Sequence, residues 1–228
     1  MLARVARSIR VAMLGVAVTA PAAAETSPAI DVKALAVNVQ RTPAQTWPGY
    51  GIYLGNGFVV TAAHVAGHGI LTQPQVVVAG RALPTSIVKE GSYPDNDLTV
   101  LKIADPVPPE LAGLHAAICA GAPQPGEAVV VATPEKVTTS AIIAPEVLPP
   151  DMRVKFAASI RDVYSTGNSG SGVFDADRHC LLGIMSSKIE QHLRLIVNGE
   201  HVVRTVGLAK HFVPSQAIQT FLGDLQIQ

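Results

Sequence analysis

Nine residues constrain this chain more than any others: Thr166-Gly167-Asn168-Ser169-Gly170-Ser171-Gly172-Val173-Phe174. Glycines at 167, 170 and 172 make the run too flexible for a helix interior. It is also too short for a linker, and the apolar residues that follow at once read as a strand. A tight turn feeding straight into a strand fits the rest of the chain, where 19 glycines and 17 prolines accompany only 15% charged residues. That composition suits many short strands joined by turns, so the expected fold class is all-β.

The first 24 residues stand apart from this pattern. Arg4, Arg7 and Arg10 precede a short apolar run, Val11 to Ala20, and Pro21-Ala22-Ala23-Ala24 offers small residues for cleavage before Glu25. This is the layout of an export signal, and the run falls short of the about 20 apolar residues that span a membrane. Cleavage removes three arginines and no acids, so Lys+Arg falls from 17 to 14 against 17 Asp+Glu, a net charge of −3. Without a basic cluster, nucleic-acid binding is not expected. The 204 residues left suffice for one large all-β domain or two small ones sharing an interface.

Strand and turn signals recur along the remainder. Ala34 to Val39 is a possible first strand, and Gly51–Leu54 and Phe58–Thr61 flank Gly55-Asn56-Gly57 as a hairpin. The second of these strands runs into Ala62-Ala63-His64, where small residues at a strand end would fix the ring. Gln75–Val78 and Ser86–Val88 form a further pair, and an apolar strand follows Asp97. After a Pro-rich crossing near 104–125, strands are expected at Ala128–Ala132, Thr138–Ile143 and Met152–Ala158. Beyond the serine stretch, strands are expected at Cys180–Ser187, at Leu193–Val197 and His201–Val206 around Asn198-Gly199, and at Gly207–Val213. A short helix from Pro214 to Leu222 closes the chain.

The glycines around Ser169 let backbone N–H groups approach a bound carbonyl, which is what a serine nucleophile beside an oxyanion site needs. A serine hydroxyl is a poor nucleophile alone and requires a histidine base and an orienting carboxylate. His64 is the candidate base. Asp97, where a turn enters an apolar strand, is a candidate carboxylate; Asp95 competes but follows Pro94 in a place suited to capping the turn. Ser171 is a second possible nucleophile, read more simply as a small residue in a tight loop. His68 lies four residues after His64, but without an H-E-x-x-H pattern or a third ligand no metal is expected. The order His64, Asp97, Ser169 differs from the Ser, Asp/Glu, His order of α/β-hydrolases, and the serine run breaks G-x-S-x-G at its last position. Export would permit a disulfide between Cys119 and Cys180, with two buried thiols as the alternative.

These residues resemble the chymotrypsin-like serine proteases, in particular their bacterial trypsin-like and HtrA-like branch. Thr61-Ala62-Ala63-His64 is similar to the histidine motif, Asn96-Asp97-Leu98-Thr99-Val100-Leu101 to the aspartate motif and Gly167-Asn168-Ser169-Gly170-Ser171 to the serine motif. Leu182 to Ser186 resembles the strand lining the substrate cleft, and Phe212 to Ser215 the closing strand and final helix start. The likeness covers about residues 48–222. It implies two packed six-stranded antiparallel barrels with a short C-terminal helix, in a protease domain at 47–228 after an N-terminal segment at 25–46. It implies His64, Asp97 and Ser169 as a catalytic triad, with the N–H groups of Gly167 and Ser169 as the oxyanion hole.

By the same resemblance, Val163 lies near the pocket floor, and Ser186 and Ser187 on its wall. An apolar floor favours small or apolar substrate side chains, although Asp162 adjoins it; Met185 stands where many glutamate-specific relatives carry a histidine. Asn168 replaces the aspartate that pairs with a newly cut N-terminus in pancreatic-type enzymes, so activity without a further cut is expected. Gly172 replaces a common proline and is expected to loosen the loop. A single protease domain without the PDZ modules of HtrA proteins is expected. Together these features imply an exported serine endopeptidase acting on peptides or proteins, without cofactor or metal and without a membrane anchor once the signal is removed. A non-catalytic binding protein on the same fold is the alternative, and an esterase using the same site is a third reading.

Overall fold

Gly55, Asn56 and Gly57 all take positive φ, at 113°, 48° and 79°. This left-handed run is cheap for glycine and tolerated by asparagine, and it folds β2 (Gly49–Gly55) back onto β3 (Phe58–Thr61). Around that hairpin, β1 (Ala36–Gln40), β4 (Gln75–Val78), β5 (Arg81–Glu90) and β6 (Thr99–Ile103) complete a closed barrel in the order β1-β2-β3-β6-β5-β4. The computed structural model describes residues 31–93, 95–104, 106–161, 169–197, 200–223, 225 and 227. The export signal therefore lies outside the described residues, as do Val163, Gly167 and Asn168.

The second half forms a six-stranded sheet. Its strands are β7 (Ala128–Ala132), β8 (Val137–Ala141), β9 (Ser159–Ile160), β10 (Gly172–Asp175), β11 (Leu181–Val197) and β12 (Glu200–Pro214). They run in the order β8-β7-β10-β11-β12-β9. Hydrogen bonds join the two outer strands: Ile143 N–H donates to Ser159 O at 2.9 Å and Arg161 N–H to Ala141 O at 2.9 Å, flanking an Ile142–Ile160 bridge. The sheet thus curls into a second barrel. After β12 comes α2 (Ser215–Leu222), which begins directly after Pro214. The architecture is the expected all-β one.

One apolar cluster runs from Val39, Ile52 and Val60 of the first barrel through Phe174 and Ile184 of the second to Ile218 of α2. It fixes the barrels against each other. A second cluster fills the other barrel with Val131, Ile160, Val173, Leu182, Met185 and Phe212. Burial of Leu98, Thr99, Val100, Leu101 and Ile103 at 0% exposure explains why β6 lacks a simple alternation: both of its faces are covered.

The expected strand at Met152–Ala158 does not form. Met152 N–H donates to Pro149 O and Phe156 N–H to Met152 O, so the chain turns helically after Pro149-Pro150. Met152 and Phe156, four residues apart, then pack together against Ile189 and Ala209, a spacing that suits a helical turn and not a strand. The strands expected at Cys180–Ser187 and Leu193–Val197 are one continuous β11, and those at His201–Val206 and Gly207–Val213 are one β12. Irregularities at Met185/Ser187 and Ile189/Glu190 break the side-chain alternation without ending the ladder.

Candidate active site

β3 and β6 pair with Thr61 opposite Thr99, so residues just past β3 and just before β6 meet at one end of the first barrel. His64 follows the end of β3 by three residues. It sits in a single helical turn, α1 (Ala63–Ala66), where Arg41 fastens the backbone by donating from its guanidinium to the carbonyls of His64 and Val65. Asp97 lies two residues before β6 and is 4% exposed. Its Oδ2 is 2.8 Å from His64 Nδ1, and its Oδ1 accepts the His64 backbone N–H at 3.0 Å. A carboxylate on Nδ1 favours the tautomer with its proton there and leaves Nε2 as an acceptor. The Tyr93 ring packs edge-on to the imidazole at 6.1 Å between centroids.

Ser186 joins this pair from the second barrel. Its buried hydroxyl donates to Asp97 Oδ2 at 2.6 Å. Burial pushes the Asp97 carboxyl up, but hydrogen bonds from His64 Nδ1, the Ser186 hydroxyl and the His64 N–H outweigh it and hold the group below its ordinary value. The carboxylate is charged at neutral pH. Ser169 Oγ donates to the Ser186 carbonyl at 3.2 Å. Among the described residues, its hydrogen bond goes to that carbonyl and not to His64.

The serine turn is locked onto the first barrel. Tyr50 N–H donates to Ser169 O at 2.9 Å, and Gly170 N–H to Met185 O at 2.8 Å. Gly170 has φ +85°, and a Cβ there would lie 1.8 Å from Tyr50 O. No side chain fits. Gly172, expected to loosen the loop, opens β10 paired to Ala132 and Ile184, and a Cβ there would meet Phe174 and Ile52 at 2.5 and 2.7 Å.

No family model matches the sequence, and no curated protein does. Solved structures do. The active form of the Rv3671c protease from M. tuberculosis aligns with a TM-score of 0.57 at 15% identity, over 86% of this chain and 83% of that one. Its inactive form gives 0.55 at 16% identity, over 86% and 90%. The serine endoprotease from Yersinia pestis gives 0.54 at 21% identity, over 83% of this chain and 61% of that one. The fold is that of chymotrypsin-like serine proteases.

In this chymotrypsin-like fold the sites inferred from sequence are brought together unevenly. His64, Asp97, Ser169 and Ser186 converge; Val163 and Gly167 lie outside the described residues. Ser187 is half-buried and pairs with His211 on β12. Ser171, the second possible nucleophile, is fully buried, as its reading as a small loop residue requires. His68 turns away to Glu90, with Nδ1 2.8 Å from Oε1. A cavity of about 360 Å³ opens beside His64, bounded by Arg41, His68, Leu71 and Tyr93. Among the described residues no group of three His, Cys, Asp or Glu side chains is placed to hold a metal ion.

Cys119 and Cys180 are bridged, with Cα atoms 5.1 Å apart. The bridge ties the inter-barrel crossing to the start of β11, next to the hydrogen bonds Leu181 N–H to Ala117 O and Cys119 N–H to Leu181 O. Two contributions escaped the sequence reading: the Ser186 hydroxyl on Asp97 and the Arg41 clasp on α1. The first had a readable trace, since a serine between Met185 and Ser187 in an apolar strand calls for a polar partner.

Proposed function

We propose that this protein is an exported serine endopeptidase. The observation that carries the reading is the convergence of a buried Asp97–His64 pair on one barrel with Ser169 on the other, joined through Ser186. With Ser169 turned toward His64, its Oγ attacks the carbonyl carbon of a peptide while Nε2 takes the hydroxyl proton. The tetrahedral adduct collapses with cleavage of the C–N bond, and the imidazolium returns that proton to the leaving amine. Water, deprotonated in turn by His64, then releases the acyl group from Ser169. Asp97 holds the tautomer and offsets the imidazolium charge. The N–H groups of Gly167 and Ser169 are assigned to the developing oxyanion, and Val163 and Ser187 to the substrate pocket. Ser186, assigned to that pocket's wall on sequence, serves Asp97 with its hydroxyl. The N-terminal signal and the disulfide support export, and no helix among the described residues is long and apolar enough to cross a membrane.

The hydrogen bond of Ser169 to a backbone carbonyl favours a second reading, a latent or non-catalytic binding protein on the same fold. Hydrolysis of an unfolded protein and of a matched ester separates the readings. Cleavage of the protein, abolished in Ser169→Ala, supports the endopeptidase. Ester cleavage alone points to an esterase, and cleavage of neither to the binding protein.

A further inference from the structure

The second barrel carries a lysine in an unusual place. Lys210 lies on β12 and is 3% exposed, although lysine is among the residue types that folded chains bury least. Direct cross-strand partners share a face of a sheet, and residues two apart on a strand do so as well. Lys210 pairs with Ile160 on β9 and stands two residues before Phe212 on β12. Both neighbours belong to the cluster that fills the second barrel, so the Lys210 side chain points to the barrel's inside.

On its other flank Lys210 pairs with Lys188 on β11, which puts two lysine side chains next to each other on that same face. Like charges placed directly opposite destabilise a sheet. Burial, followed by the charge of Lys188, pulls the Lys210 pKa down to about 8. Lys188 is in part engaged, with Nζ 2.5 Å from Glu190 Oε1.

These lysines stand at the end of the barrel where the reactive serine emerges. Ser169 bonds to the Ser186 carbonyl, and Lys188 follows Ser186 by two positions on β11. The serine turn adjoins β11 through Gly170 N–H to Met185 O, and β12 is the next strand beyond. Adjacent strands are about 4.8 Å apart, so roughly 10 Å separates β12 from the serine turn. A substrate carboxylate on a short side chain and the four-carbon stem of a lysine together bridge that gap.

We propose that Lys210, with Lys188 beside it, receives the carboxylate of an aspartate or glutamate side chain on the amino side of the bond cleaved at Ser169. The inference rests on the endopeptidase reading and deepens it. It differs from the apolar preference that Val163 implies by resemblance. A carboxylate between two ammonium groups relieves their repulsion, and the buried setting strengthens each charge-assisted hydrogen bond.

The test is a peptide library varied at the position before the cleaved bond, with the wild type, Lys210→Met and Lys188→Met. A fluorophosphonate probe reports in each whether Ser169 remains reactive. The wild type is expected to prefer Asp or Glu over Ala and Leu. Lys210→Met should keep probe labelling yet lose about 10- to 100-fold in kcat/KM on acidic substrates, with apolar ones unchanged or improved. Lys188→Met should lose less. Probe labelling with a wild-type preference for Ala or Leu overturns this inference alone, as does an acidic preference that survives in Lys210→Met. No labelling of the folded wild type overturns the endopeptidase reading and this inference with it. If Lys210→Met does not fold, the wild-type profile and Lys188→Met decide.

Discussion

Replacing Ser186 with alanine removes one hydroxyl that donates to Asp97 Oδ2 at 2.6 Å, where both residues are buried. A hydrogen bond to a charged acceptor contributes roughly 1.5–3 kcal/mol, and a bond to a neutral one nearer to about 1 kcal/mol. The difference makes the loss depend on pH. Asp97 has a folded-state pKa below its ordinary value, so its contribution is present above the unfolded pKa of about 3.9 and disappears as pH falls through the lower folded value. Ser186→Ala should therefore cost about 2 kcal/mol at pH 7, or roughly 4–8 °C in Tm for a chain of this size. The cost should shrink to about 1 kcal/mol or less as pH falls through that lower folded value and Asp97 becomes protonated. Urea denaturation at pH 7 and at a series of pH values below about 4, in a Ser169→Ala background that prevents self-digestion, measures it. A loss that stays the same down to the acid limit of the folded state would refute the reasoning, because a packing defect has no such pH dependence.

Three further outcomes are expected. Gly170→Ala puts a Cβ within 1.8 Å of Tyr50 O at φ +85°, so the serine turn must shift; probe labelling of Ser169 should slow by about 10²-fold while the far-ultraviolet circular dichroism stays native. Unchanged labelling would show that the turn is not held as described. Opening the Cys119–Cys180 bridge by a double serine substitution releases a loop of 61 residues and should lower stability by about 4 kcal/mol in urea titrations; a loss below about 1 kcal/mol would contradict this. Asp175 accepts the N–H groups of Asp177 and Arg178 and the Arg178 guanidinium; burial pushes its pKa up, but these bonds prevail and lower it to about 2. Asp175→Asn should thus be destabilised at pH 7, with the gap to wild type closing as pH falls from about 4 to about 2, and a constant gap would argue against the assignment.

Much of the fold could be read because turn chemistry and alternation agree. The Gly55-Asn56-Gly57 hairpin and the strand at Ala128–Ala132 appear where their residues indicate. Strands are harder to read where period two disappears, because the strand is covered on both faces or bulged. β6 is covered on both faces apart from Lys102, and β11 passes two irregularities that look like strand ends in sequence. Met152–Ala158 is apolar enough for a strand, yet its contacts at Met152 and Phe156 follow a helical spacing. In the site, the histidine and aspartate stand at ends of paired strands, so their neighbours along the chain announce them. Ser186 and Arg41 act across more than 20 positions in sequence, and nothing local marks the partner that each one finds. Lys210 was visible as a lysine among apolar residues, but only its pairing with Ile160 shows which way it points.

The most direct measurement is reaction of the purified protein with a fluorophosphonate probe, read by intact mass, beside Ser169→Ala and His64→Ala. One adduct on the wild type, absent from Ser169→Ala and strongly reduced in His64→Ala, is the predicted result. A folded wild type that takes up no probe would contradict an activated Ser169, and with it the central claim.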